Sequence, residues 1–172
     1  GLADGVVPAE QIADMRSDLL ACDVTAIDDV IARYRTDPGA PPLQAHRTVI
    51  DHVFSGDDVV AMRDRAGELA KLEGDEFAAM LYAALSTRCP MTMHVFLRLI
   101  DGGVDIPDMA AALAMDCRLA IRMSERADFS DGVRAVLVDK TNDATWSPAR
   151  LEDVTPAMLD AVFDHAGLPV LR

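Results

Sequence analysis

Apolar residues recur every three or four positions along this chain, between short breaks of proline and glycine. The clearest run consists of Phe77, Met80, Leu81, Ala84 and Leu85. These spacings place its members on one face of an α-helix. The alternating apolar and polar residues of a half-buried β-strand are nearly absent, and no segment repeats at a fixed period. The pattern predicts a mainly α fold of about eight helices.

Capping residues predict where several helices begin and end. Ser55 or Asp57 is expected to cap a helix whose apolar face contains Val59, Met62, Ala66 and Leu69. A long helix is expected over residues 105–127. Thr155, followed by proline, predicts the start of the last helix, and Gly167 its end. The inner faces of these helices are expected to include Met80, Phe96, Ile100, Met109 and Leu113.

A proline- and glycine-rich segment at residues 37–42 predicts the only internal linker. It divides the chain into residues 1–42, with a short strand at Val6 and Val7 followed by two helices, and a helical domain at residues 43–172. A strand as short as Val6-Val7 needs partners, because isolated strands of this length are unstable.

Composition and charge restrict the class of protein. The chain of 172 residues is 51% hydrophobic, which is typical of a globular protein, and aromatic residues make up only 5%. A formal charge of −13 argues against nucleic acid and anionic membranes as partners. No apolar run approaches the roughly 20 residues of a membrane span, and no basic-then-apolar leader opens the sequence. These features predict a cytoplasmic protein.

The three cysteines and four histidines are too scattered to predict a metal or redox site. Reduced, half-buried thiols are expected. Cys89 and His94 are close enough in sequence for a nucleophile and base, but Pro90 lies between them and no oxyanion loop is evident.

The segment from Asp128 to Trp146 has the most specific pattern in the chain. Asp128 or Ser130 is expected to cap a helix. On that helix an apolar face ends at Lys140, and the helix is expected to break at residues 141–143. The face itself consists of Val133, Val136, Leu137 and Lys140.

This segment resembles a motif near the C-terminus of the crotonase (enoyl-coenzyme A hydratase/isomerase) superfamily. The match runs over residues 132–140, with Asp128-Phe129 before it and Trp146 after it, and is most similar to the 3-hydroxyisobutyryl-coenzyme A hydrolase branch. Further matches lie at residues 54–57, 86–92 and 148–154, and residues 1–8 resemble the final strand of the crotonase core. The resemblance covers most of the chain, but only the family's region downstream of its core.

What the resemblance implies is a coenzyme A thioester enzyme whose catalytic elements lie elsewhere. In the family an oxyanion hole of two backbone amides stabilises the reacting thioester, and acidic residues supply acid and base. Those elements lie upstream of the part resembled here, so no catalytic residue is expected in this chain. The implied function is valine catabolism or a related enoyl-coenzyme A reaction, with coenzyme A as part of the substrate and no separate cofactor.

Lys140 and Arg134 are the coenzyme A-binding residues that the resemblance implies. The family lysine matched by Lys140 lies near the adenosine phosphates, sometimes across a subunit boundary. A lysine here also suits the negative end of its own helix, and both roles stay open. Arg118, Arg122 and Arg134 add positive charge, but Asp116, Glu125 and Asp131 are expected to pair with them.

Two hypotheses therefore follow. In the first, the chain is the helical C-terminal region of an acyl-coenzyme A enzyme, inactive alone and covered by its N-terminal core or by a second copy. Val6, Val7 and some apolar helix faces would then lack partners and leave an exposed hydrophobic patch. In the second, it is a non-catalytic helical domain for interaction or oligomerisation, with a self-sufficient core.

Overall fold

A computed structural model describes residues 5–164, which are almost entirely helical. The predicted mainly α fold is confirmed, with nine helices rather than eight in this range. No β-strand occurs there, and no helix there has the length and apolarity to cross a membrane. The helices are α1 (Ile12–Ala21), α2 (Ile27–Tyr34), α3 (Arg47–Val53), α4 (Val59–Leu72), α5 (Glu76–Thr87), α6 (Pro90–Gly102), α7 (Met109–Ser124), α8 (Ala127–Val133) and α9 (Pro156–Phe163).

The chain forms two compact units, residues 1–47 and 48–172. In the first, the Tyr34 hydroxyl on α2 donates a hydrogen bond to the Asp18 carboxylate on α1 at 2.9 Å. This bond joins the two short helices of the unit, and Val30 on α2 is buried. The domain boundary inferred from the proline-rich linker stays a prediction.

Val6 has a backbone partner within the first unit. The amide of Thr36 donates to the Val6 carbonyl at 2.9 Å, and the Thr36 hydroxyl lies 3.3 Å from the same oxygen. The two residues form an isolated antiparallel bridge, because the chain becomes extended at Arg35, directly after α2. The expectation that Val6 lacks a partner is therefore wrong.

The second unit is built around two buried apolar clusters. The first joins α4 to α5 and to Leu151, and the second joins α6, α7 and α9. Their buried members are Val59, Met62, Leu85 and Leu151 in one, and Met91, Val95, Leu119 and Val162 in the other. Gly67 permits the close contact of α4 with α5, since a Cβ atom there would lie 3.0 Å from the Tyr82 ring.

The helices α4 and α7 begin at other residues than the sequence pattern predicts. The cap of α4 is Asp58, whose carboxylate accepts from the Val60 amide at 2.8 Å, and the cap of α7 is Asp108. In each case the aspartate nearest the first helical residue takes the cap, because only its side chain reaches the free amides of the first turn. Thr155 caps α9 as predicted. Gly167 lies outside the described residues.

Several apolar side chains expected inside lie on the surface. They are between 56% and 74% exposed: Met80, Phe96, Ile100, Met109 and Leu113. On α6, for example, Met91 and Val95 form the buried stripe, while Phe96 lies outside it. These helices carry apolar residues on more than one face, so the spacing alone did not identify which face is buried.

Candidate functional site

An apolar groove of about 740 Å³ lies within the second unit. It is lined by α6, α7, α8 and a π-helical turn at Arg134–Val138, together with Trp146. Its volume falls within the range of ligand sites, roughly 300–1,000 Å³. The lining residues are Cys89, Thr92, Val95, Phe96, Leu99, Asp116, Leu119, Ala120, Met123, Asp128, Phe129, Gly132, Val133, Val136, Leu137 and Trp146.

The rim of this groove exposes large apolar side chains to solvent. Phe129 is 54% exposed and Leu137 is 68% exposed, and Phe96 and Val136 beside them are also exposed. Neighbouring exposed apolar side chains such as these are a feature of ligand and protein interfaces. The exposed patch that the first hypothesis requires is therefore present.

Asp128 fixes one end of the segment that forms the groove wall. It is a buried carboxylate, 5% exposed, that accepts from the Arg126 guanidinium at 2.8 and 3.0 Å and from the Ser147 amide at 2.6 Å. Arg126 also donates to the Ser147 carbonyl. The prediction that Asp128 or Ser130 caps the helix is wrong, because α8 begins at Ala127 and both residues lie inside it. Asp128 instead ties α8 to the chain after Trp146.

Arg134 holds the turn that follows α8 with three carboxylates. Its guanidinium lies 2.8 Å from Asp131, 2.6 Å from Asp139 and 3.3 Å from Asp143. The hydrogen bond from Arg134, and after it one from the Thr145 amide at 2.6 Å, lowers the pKa of Asp131. The predicted Asp131–Arg134 pair is confirmed. The charge of Arg134 is already compensated, and its role in binding coenzyme A stays a prediction.

Acid is expected to loosen this cluster. Because the folded-state pKa of Asp131 lies below its ordinary value of 3.8, the stability it contributes is present above that value and is lost as the pH falls through the lower pKa. Fluorescence of Trp146, the only tryptophan, is expected to report the change as the pH falls below 3.8. Arg134→Gln removes the main cause of the lowered pKa and should shift the transition to higher pH. An unchanged transition in that variant would contradict the assignment.

Trp146 closes the end of the groove near α5. Its indole N–H donates to the carbonyl of Thr87, the last residue of α5, at 2.9 Å. The ring lies against Gly132, where an added Cβ atom would be 3.3 Å from two ring carbons. The glycine in the motif therefore leaves room for the tryptophan, a relation that the sequence pattern did not indicate.

Lys140 lies beyond the helix rather than at the end of its apolar face. The Asp139 amide donates to the Arg134 carbonyl five residues earlier at 2.8 Å, so the π-helical turn adds a residue to the helical register. Lys140 follows with a φ of 58° and is exposed. The predicted placement is therefore wrong. Its side chain has no hydrogen bond or ion pair within residues 5–164, and both roles considered for it stay predictions.

The other candidate residues are separated from one another. Arg122 pairs with Glu125 at 3.7 Å, as predicted. The His94 ring contacts the Leu151 carbonyl at 3.1 Å, whereas Cys89 lines the groove. All three cysteines are free and half-buried, as expected. Among the described residues no group of three His, Cys, Asp or Glu side chains is arranged to bind a metal.

Comparison with known proteins identifies relatives along the whole described chain. A family model described as enoyl-CoA hydratase/isomerase matches residues 1–163. The mitochondrial 3-hydroxyisobutyryl-CoA hydrolase of Xenopus tropicalis is 30% identical over 175 residues, covering 97% of this chain and 44% of the relative. The enzyme of the same name from Homo sapiens is 29% identical over 180 residues, covering 100% of this chain and 45% of the relative. The chain thus spans a little under half the length of these relatives.

A solved structure shows the same arrangement of helices. It is the crystal structure of a carnitinyl-CoA dehydratase from Mycobacterium thermoresistibile, with a TM-score of 0.83 and 25% sequence identity. The superposition covers 98% of this chain and 46% of that chain. Since the family model matches nearly the whole sequence and the helices superpose on a family member, this chain belongs to the enoyl-CoA hydratase/isomerase family and forms the C-terminal helical region of a crotonase-like fold.

Proposed function

We propose that this chain is the helical cover of a coenzyme A thioester enzyme, and that the complete protein hydrolyses 3-hydroxyisobutyryl-CoA in valine catabolism. A related enoyl-CoA hydratase or isomerase reaction is the alternative substrate assignment. The observation that carries the proposal is the open apolar groove beside the Asp128–Trp146 segment. The names of the relatives support the choice of substrate.

The groove does not provide the groups that thioester hydrolysis requires. Thioester hydrolysis needs hydrogen-bond donors for the developing oxyanion and a group that activates water. Among the described residues, the charged side chains that line the groove are Asp116 and Asp128, and Asp128 is committed to Arg126 and Ser147. We therefore assign the catalytic groups to the upstream core of the family fold, and to this chain the covering of coenzyme A and of that core.

Lys140 is the residue that we assign to a phosphate of coenzyme A, which enters as part of the substrate. In the complete enzyme, Lys140→Gln is expected to raise KM roughly tenfold with little change in kcat, because one charge-assisted hydrogen bond is lost. Lys71→Gln removes the same charge from an exposed position at the end of α4 and serves as the control. Equal KM values for the two variants would contradict the assignment.

A second candidate function is a non-catalytic helical domain for interaction or oligomerisation. The exposed rim of the groove favours it, because a second copy of the chain would also cover that surface. The expected homo-oligomer and the cytoplasmic location belong to the proposal as well, whereas relatives from Xenopus tropicalis and Homo sapiens are named as mitochondrial.

The two functions are distinguished by measuring thioester hydrolysis by this chain alone and by this chain joined to an upstream core. The pure chain is expected to release no coenzyme A from 3-hydroxyisobutyryl-CoA above the uncatalysed rate. A fusion protein, with the upstream part of the Homo sapiens relative joined to this chain, is expected to hydrolyse it. Saturable turnover by the chain alone, lost on denaturation, would contradict the proposal, as would an inactive but folded fusion protein.

A further inference from the structure

The turn at residues 139–143, directly after the π-helical turn, holds two residues in an uncommon backbone conformation. Lys140 has a φ of 58° and Asn142 a φ of 56°, and among the described residues these are the non-glycine positions with positive φ. The side chains of L-amino acids are crowded in this left-handed region. Glycine is the usual residue at such a position after a helix, so the lysine adds strain that the turn alone does not require.

The side chains that flank the two strained positions belong to one network around Arg134. Its guanidinium group pairs with Asp139 at 2.6 Å and with Asp143 at 3.3 Å. The Thr141 hydroxyl donates to the Asp143 carboxylate at 2.5 Å. The residues before and after Lys140 are therefore tied to the same guanidinium group, one directly and one through Asp143.

The backbone of the turn is also fixed. The Asn142 amide donates at 3.0 Å to the carbonyl of Ala135, a buried residue of the π-helical turn. On α8, the Asp131 carboxylate accepts from Arg134 at 2.8 Å and from the Thr145 amide at 2.6 Å. An isolated exposed ion pair contributes little, but several carboxylates that share one guanidinium group form a network. Arg134 thus connects α8 to both ends of the turn.

We propose that Arg134 is a positioning residue for Lys140. Three carboxylates surround the single positive charge of Arg134, so an anion is repelled from Arg134 itself. Lys140 is exposed and carries its charge beyond this network. By fixing the residues on both sides of Lys140, Arg134 sets the direction of the lysine side chain and reduces the entropy lost when it binds an anion. The inference rests on the proposed function, which assigns Lys140 to a phosphate of coenzyme A.

Hydrogen exchange of the pure chain tests the positioning without any activity measurement. In Arg134→Gln, the Asn142 amide is expected to exchange at least about tenfold faster by NMR, because the turn that holds its bond to Ala135 is released. Arg134→Lys should have the same effect, since a lysine keeps the charge but lacks the planar fork that joins several carboxylates. Unchanged exchange of this amide in both variants would overturn the proposal.

Arg150→Gln is the matched control for these variants. It also removes a guanidinium group that pairs with a carboxylate, that of Asp153 at 2.7 Å, but on a different segment of the chain. The exchange of the Asn142 amide is expected to stay the same in this variant. Equal acceleration in the Arg150 and Arg134 variants would show that the effect is not specific to the turn, and would contradict the proposal.

A double-mutant cycle in the fusion protein tests whether Arg134 acts through Lys140. Arg134→Gln is expected to raise KM by up to the roughly tenfold factor of Lys140→Gln, with little change in kcat. In the Lys140→Gln background, the same substitution should raise KM no further. Factors that multiply would show that Arg134 binds coenzyme A directly or supports the fold in general, and would overturn this inference alone. An unchanged KM in Lys140→Gln would overturn the phosphate assignment as well.

Discussion

Asp128→Ala is expected to lower the free energy of unfolding by about 3–5 kcal/mol, the cost of breaking a buried ion pair by removing one partner. The substitution leaves the Arg126 guanidinium and the Ser147 amide without the carboxylate that joins them. Because these bonds connect α8 to the chain after Trp146, the groove wall is expected to loosen with them. Urea denaturation at neutral pH, followed by circular dichroism, measures the change.

Asp139→Ala is the control for this prediction. Asp139 also pairs with an arginine, but it is exposed and shares Arg134 with Asp131 and Asp143. An exposed pair that shares its arginine with two other carboxylates contributes little, so its loss should change stability little. Similar losses for the Asp128 and Asp139 variants would show that burial of the Asp128 pair is not what stabilises the segment.

Substitutions at the groove rim are expected to leave the stability of this chain almost unchanged but to impair its packing against the upstream core. The double variant Phe129→Glu and Leu137→Glu changes two exposed side chains, so the free energy of unfolding of this chain should change by no more than about 0.5 kcal/mol per site. In the fusion protein, the same change should reduce thioester turnover more than about 100-fold. Each apolar side chain loses about 1.5–3 kcal/mol of burial, and each new charge must be desolvated.

Leu72→Glu provides the comparison for the rim. Leu72 ends α4 and is 84% exposed, but it does not line the groove. This variant is expected to leave both the stability of the chain and the turnover of the fusion protein unchanged. A loss of turnover equal to that of the rim variant would mean that any added surface charge disturbs the protein, and that the groove has no special role.

The helices could be predicted from the sequence because their signals are local. Apolar spacing predicted about eight helices, one fewer than the described residues form, with approximate bounds, and Thr155 identified the start of α9. The buried faces could be predicted less well. Phe96 and Leu113 have the spacing of core residues, but both are exposed, and periodicity does not distinguish packing against this chain from packing against another.

The site itself depends on contacts that no local pattern records. Asp128 has the residue type of a helix cap, but Arg126 and Ser147 bind it from outside the first turn. The π-helical turn shifts Lys140 off the expected face by inserting one residue into the register. Family resemblance indicated that this segment matters, whereas its internal bonding became evident only from the folded arrangement.

The central claim is that the apolar groove is an interface completed by the upstream part of the family fold. Hydrogen–deuterium exchange of this chain alone and within the fusion protein tests it most directly. Amides of α6 and of residues 128–146 are expected to exchange at least about tenfold more slowly in the fusion protein, because their exposed apolar side chains become buried. Identical exchange of these residues in the two proteins would contradict the claim.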